Sequence, residues 1–195
     1  NQQRLRSLSD WRQPTEGTPD HFSSCSKLAG VPDNRFGSEP ALEGNAYGGL
    51  VLFSRSKWRY REYLTTELVR NLAPGEWVCI SAWVTAAEQA GIVADGFGAL
   101  LSEEKPRGER DYAVEAEPQL VNPTGHFLEW TEGWVNLSDA VQAKGGERWL
   151  TLGNFDRKGQ TRIAASANAP SDATKWAYVY VDGVEVVPVD RPEDC

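Results

Sequence analysis

Apolar and polar residues alternate with a period of two along much of this chain. In residues 76–86 (EWVCISAWVTA), Trp77, Cys79, Ser81 and Trp83 fall on one face, and Val78, Ile80, Ala82 and Val84 on the other. Both faces are apolar, which predicts an inner strand covered on two sides. Residues 147–155 (ERWLTLGNF) set Trp149 and Thr151 opposite Leu150 and Leu152, and residues 175–189 (KWAYVYVDGVEVVPV) form the cleanest β run. Residues 44–53, 91–101, 113–121 and 128–141 are further candidate strands, the second broken at Asp95-Gly96. Residues 61–70 (REYLTTELVR) fit a short helix as well as a strand. Residues 103–111 and 156–174 read as polar loops, and residues 11–40 as a long ordered loop punctuated by proline and glycine. About eight strands with few helices predict an all-β, two-sheet sandwich. Residues 1–189 are expected to form one domain, with 190–195 a tail that frays.

Composition narrows the partners. The net charge of −8 lacks the basic footprint that nucleic acid requires and is unsuited to an anionic membrane surface. No apolar run approaches the length of a membrane helix, so a membrane-embedded chain is not expected. Neutral glycans, other proteins and cations remain. Three cysteines cannot all pair within one chain. Cys79, in an apolar strand, reads as a buried thiol, and Cys195, the last residue, is placed to bond with Cys25 or with residues beyond this sequence.

Several motifs carry a family resemblance. They are W-x-x-PT-x-GTPD-x-F-x-x-C from Trp11 to Cys25, VP-x-N-x-FG from Val31 to Gly37, and G-x-AY-x-G from Gly44 to Gly49. Farther on come REY at Arg61 to Tyr63, GGE-x-x-LTLGNF from Gly145 to Phe155, and YVYVDGV-x-V from Tyr178 to Val186. Together they resemble a jelly-roll, galactose-binding-like module, similar to carbohydrate-binding modules. Such a module occurs near the N-terminus of some envelope proteins that carry an OmpA-type peptidoglycan-binding domain. The resemblance implies a secreted or cell-envelope address, at the periplasm or outer-membrane surface, and a non-catalytic role. Relatives often hold a structural calcium ion, but the opening strand that helps bind it has no counterpart in residues 1–10.

The candidate chemistry follows. His21 and His126 are isolated, no G-x-S-x-G elbow occurs, and the acid pairs read as solvated faces, so no catalytic residue is assigned. Residues 57–63 (KWRYREY) mix aromatic with planar polar side chains. Sugar C–H faces stack on aromatic rings while Arg and Glu bond hydroxyls. Trp58, Tyr60, Arg59, Arg61 and Glu62 are therefore the expected ligand-binding set, with Asp20 and His21 from the loop at 17–22 lining the same mouth. The plainer reading is that Trp58 and Tyr60 cover a sandwich edge. Asp182 reads in two ways: as a calcium ligand, with Asp20 and Asp33 as weaker partners, or as the start of a bulge at Asp182-Gly183. The expected function is a non-catalytic module recognising a glycan. The alternative is a protein-interaction or structural module of an outer-membrane or secretion assembly.

Overall fold

The computed structural model describes residues 10–57, 59–129, 133–157, 159–167 and 169–195. A five-stranded antiparallel sheet has the order β1 (Asp20–Ser23), β4 (Ala46–Ser54), β13 (Trp176–Pro188), β6 (Trp77–Ala86) and β10 (Val135–Gln142). A four-stranded sheet has the order β5 (Tyr63–Glu67), β11 (Trp149–Gly153), β8 (Gly98–Ser102) and β9 (Leu120–Val121). Two short ribbons complete the strands: β2 (Asp33–Asn34) with β3 (Gly37–Ser38), and β7 (Ile92–Ala94) with β12 (Ile163–Ala165).

Period-two burial holds the two sheets together. Leu50 and Leu52 on β4, Val179 and Val181 on β13, and Val78, Ile80, Ala82 and Val84 on β6 point into one apolar layer. They meet Leu64 on β5, Ala99 and Leu101 on β8, and Leu150 and Leu152 on β11. Leu150 and Leu152 are both 0% exposed, and each such burial contributes about 1.5–3 kcal/mol. The ambiguous segment at 61–70 resolves as strand β5, because Leu64 is needed in this layer and β11 supplies a full pairing edge.

Two predicted strands shorten. Residues 113–121 pair as a strand only at Leu120–Val121. The Gln119 side-chain amide takes the place of backbone pairing, accepting from Leu101 N–H at 2.8 Å and donating to Leu101 O at 3.1 Å. Val114 instead turns into a small cluster with Tyr63, Leu100 and Phe155 on the outer face of the four-stranded sheet. Of the strand predicted over 128–141, residues 130–132 lie outside the described residues, and β10 covers Val135–Gln142.

The irregular segment at 11–40 does more than loop. It contributes the edge strand β1 and the β2–β3 ribbon, and it roofs the outer face of the five-stranded sheet. Under that roof lie Phe22, Phe36, Tyr47, Tyr178 and Tyr180, all buried. The Phe36 and Tyr178 rings stack with centroids 4.0 Å apart, and Phe22 meets Tyr180 edge-on at 5.4 Å. Gly49 makes room for this packing, since a Cβ there would lie 2.3 Å from the Tyr178 hydroxyl and 2.7 Å from the Phe22 ring. Asn34 pins the roof: its amide donates to the Tyr47 hydroxyl at 3.1 Å and its Oδ1 accepts from the Tyr180 hydroxyl at 2.9 Å.

The chain end departs from expectation. Residues 192–194 form a 3-10 turn, and Cys195 is disulfide-bonded to Cys79 with 5.1 Å between the Cα atoms. Cys79 is thus not a thiol, the tail is tied to β6, and Cys25 is the free, exposed cysteine. The outward-facing position of Cys79 on β6, opposite the inward Val78 and Ile80, makes the bond reachable from the surface.

Two outcomes are expected in urea unfolding. Leu152→Ala should lower stability by about 2–5 kcal/mol through lost burial and the cavity left behind. Cys195→Ser should lower it by about 2–4 kcal/mol, because the bond closes a long loop in the unfolded chain.

Candidate functional site

A strap from the N-terminal segment crosses from one sheet to the other. Arg12 and Thr65 exchange N–H···O bonds of 2.8 Å, which pairs the strap with the free edge of β5. Glu16 N–H then donates to Arg110 O at 2.6 Å, and Asp20 to Ser23 pair with β4 as strand β1. Gly17 is required at the crossing: a Cβ there would sit 2.6 Å from Arg61 O and 3.2 Å from the Glu62 Cγ.

Glu62 lies beneath this crossing and is 3% exposed. Its Oε2 accepts from Val51 N–H at 2.8 Å, and its own N–H donates to Val51 O at 3.1 Å. Strand β1 pairs with β4 only as far as Gly49, so Glu62 continues the edge pairing one step past the end of β1. The Tyr60 hydroxyl donates to Glu62 Oε1, and Thr18 Oγ1 donates to the same oxygen at 3.4 Å. Burial pushes the Glu62 carboxyl up to about 7, although the Tyr60 and Val51 bonds pull the other way. Burial likewise raises the Tyr60 phenol, reinforced by its bond to Glu62.

The expected ligand set is therefore only partly assembled. Tyr60, Glu62 and Thr18 converge, but as the inner latch of the strap rather than as an open platform. Trp58 lies outside the described residues. Arg59 is exposed, with its guanidinium carbon 5.0 Å from the centroid of the Tyr112 ring. Arg61 is 4% exposed, packs over Phe53 at 4.9 Å and donates to Tyr60 O at 2.9 Å; burial lowers its basicity. Asp20 accepts from the buried Tyr178 hydroxyl at 2.7 Å and lies 3.5 Å from Arg35. His21 is separated from this group: it pairs with Gly48, Asp20 pairs with Gly49, and successive strand residues face opposite ways.

Asp182 takes the plainer of its two readings. Its Oδ2 accepts from Leu42 N–H at 2.9 Å and Glu43 N–H at 3.3 Å, and its Oδ1 from Gly183 N–H at 2.8 Å. The register of β13 shifts between Asp182 and Glu185, with Gly183 at φ 54°. The carboxylate is thus a backbone anchor at a bulge, tying the 42–43 loop to β13. Asp20 and Asp33 are engaged elsewhere, with Tyr178 and Ser38, and the residues do not fit a calcium ion. Among the described residues, no three or more His, Cys, Asp or Glu side chains gather as a metal-ligating cluster.

An open feature lies on the other sheet. A groove of about 950 Å³ runs over the outer face of the four-stranded sheet, lined by Trp149, Glu67, Ser102, Glu103, Lys105 and Arg148 among others. The register explains its centre. Trp149, on the central strand β11, sits opposite Glu67 of β5 on one side and Ser102 of β8 on the other. Arg148 Nε is paired with Glu67 Oε1, which fixes a planar charged pair beside the indole. The Lys105 ammonium lies 5.9 Å from the centroid of the indole ring. Trp149 is not in the ligand set expected from the sequence, although the alternation in ERWLTLGNF sets it opposite the core leucines.

Strand pairing defines the chain as an all-β sandwich of a five-stranded and a four-stranded antiparallel sheet. No family model matches the chain, and no curated protein matches it. Among solved structures it is similar to the CBM22-1 xylan-binding domain of Xyn10C from Paenibacillus barcinonensis. That match has 12% identity and a TM-score of 0.48, and covers 97% of this chain and 92% of that one. The CBM22-2 domain of the same protein gives 13% identity, a TM-score of 0.48 and 94% coverage of each chain. The K3 cleaved adhesin domain of Lys-gingipain from Porphyromonas gingivalis gives 10% identity, a TM-score of 0.45 and 92% coverage of each.

Glu62 generates a pH signature. A carboxyl raised in the folded state adds stability that is fully present below about pH 4.5 and is lost as pH rises through about 7. Urea unfolding of the wild type should therefore weaken across that window relative to Glu62→Gln, by roughly 2–3 kcal/mol. A difference between the two proteins that does not change with pH would contradict the assignment.

Proposed function

We propose that this chain is a non-catalytic glycan-binding module whose ligand lies in the groove over Trp149. The observation that carries this reading is the placement of Trp149 at the centre of an open groove, flanked in register by Glu67 and Ser102. An indole offers the apolar faces of a sugar a stacking surface, and carboxylates, guanidiniums and hydroxyls beside it bond the ring hydroxyls. The groove volume suits one bound ligand of a few sugar rings. Lys105 now covers part of the indole; displacing an exposed ammonium from an aromatic face costs about 0.5–1 kcal/mol, which a stacked sugar offsets.

Binding without chemistry fits the distribution of titratable groups. Glu62, the carboxyl pushed toward neutrality, is sealed under the strap and does not line the groove. The proposal includes a secreted or envelope address. The Cys79–Cys195 disulfide supports it, since such bonds persist in oxidising compartments.

A second reading, a protein-interaction module, is favoured by one feature. Val69 is 69% exposed beside an apolar depression lined by Leu68, Leu72, Val78 and Val186. The two readings separate in one experiment. Affinity gel electrophoresis against a panel of soluble plant and bacterial polysaccharides should retard the wild type, and Trp149→Ala should raise Kd by roughly 10- to 50-fold. No retardation of the wild type by any polysaccharide would favour the protein-interaction reading, and retardation unchanged by Trp149→Ala would remove the glycan site from the groove.

A further inference from the structure

We infer that the groove is the first of two adjoining subsites, so that the module discriminates glycans by chain length. This rests on the glycan-binding reading of the Trp149 groove. The loop leaving β8 at Ser102 crosses the outer face of the four-stranded sheet and is anchored by buried Val114. Its segment Lys105-Pro106-Arg107 is a ridge that borders two depressions at once. On one side is the groove over Trp149, and on the other a second depression of about 420 Å³. Pro14, Thr15 and Glu16 of the strap form the far wall of the second depression, and Gly108 and Arg110 contribute to its lining.

The second depression is built by close backbone contact rather than left over between mobile loops. Glu16 N–H donates to Arg110 O at 2.6 Å and Gly108 N–H to Pro14 O at 3.4 Å. A Cβ at residue 108 would lie 2.6 Å from the Thr15 Cγ2, so the loop and strap touch there. Arg110 is held at φ 52°, the left-handed conformation that non-glycine residues seldom take. Strained backbone of this kind persists where the surroundings over-determine it, and it clusters at ligand sites. Among the described residues, no ion pair engages Lys105, Arg107 or Arg110.

The chemistry on the two sides of the ridge is of one type. Pro14 and Pro106 give apolar walls, and Arg107, Arg110 and Glu16 give planar groups that bond paired hydroxyls. A linear oligosaccharide that stacks on Trp149 and continues over Pro106 would meet the same kind of surface again. Two linked contacts on one ligand raise affinity without either contact becoming stronger. A short oligosaccharide fills the first subsite only.

Isothermal titration calorimetry of the full chain with xylo-, cello- and chito-oligosaccharides, from disaccharide to hexasaccharide, tests this. The expected result is that in the series that binds, the hexasaccharide binds at least tenfold tighter than the disaccharide. Arg110→Gly, which keeps the left-handed backbone accessible, should shrink that ratio toward one. Arg107→Ala should shrink it as well, and Trp149→Ala should weaken both ligands together. A hexasaccharide advantage that survives Arg110→Gly and Arg107→Ala, or no length dependence in a series that binds, overturns the second subsite while leaving the first. Failure of every series to bind the wild type overturns the glycan reading and this inference with it.

Discussion

The apolar layer between the two sheets is the constraint from which the other features follow. Leu50 and Leu52 share it with Leu150 and Leu152, and a one-residue slip in either sheet would turn those leucines out of the layer. Register is therefore fixed on both strands β4 and β11. Once it is fixed, the outward residues are fixed too. Tyr47, Gly49 and Val51 must lie on the outer face of one sheet, and Trp149 on the outer face of the other.

Those two outer faces have opposite fates. On the five-stranded sheet, the N-terminal segment lays down an aromatic second core and satisfies the tyrosine hydroxyls from Asn34, Asp20 and the Glu39 carbonyl. That face is closed by the chain itself. On the four-stranded sheet, the 103–116 loop covers only the end nearest Tyr63 and Val114, and the rest remains an open groove. The difference lies in what crosses each sheet, not in the sheets themselves.

This explains how much could be read from the sequence. The strands with strict alternation were legible: β6, β11 and β13 are where the pattern put them, because inward burial is a local property repeated every second residue. Edge strand β1 was not, since its pairing with β4 depends on where a proline-rich segment lands in space. The aromatic-polar run at 57–63 had the composition of a binding site. Yet Glu62 was drawn inward by the unpaired Val51 backbone and Arg61 by the Phe53 ring, and neither partner is visible in a local window. Asp182-Gly183 carried both a ligand and a bulge reading, and only the positions of the Leu42 and Glu43 amides decided between them. Trp149 was legible as outward-facing, but whether a loop would cover it was not.

The strap has a consequence beyond joining the sheets. It occupies, through Arg12 and β1, one margin of each sheet where backbone amides and carbonyls would otherwise stand open, and Glu62 closes the gap where β1 stops. Open margins of that kind recruit strands from neighbouring molecules. Pro14, Thr15 and Glu16, which wall the second depression, lie on the strap between these two edge contacts, so the surface of the depression and the guarding of both margins are bound to a single stretch of chain.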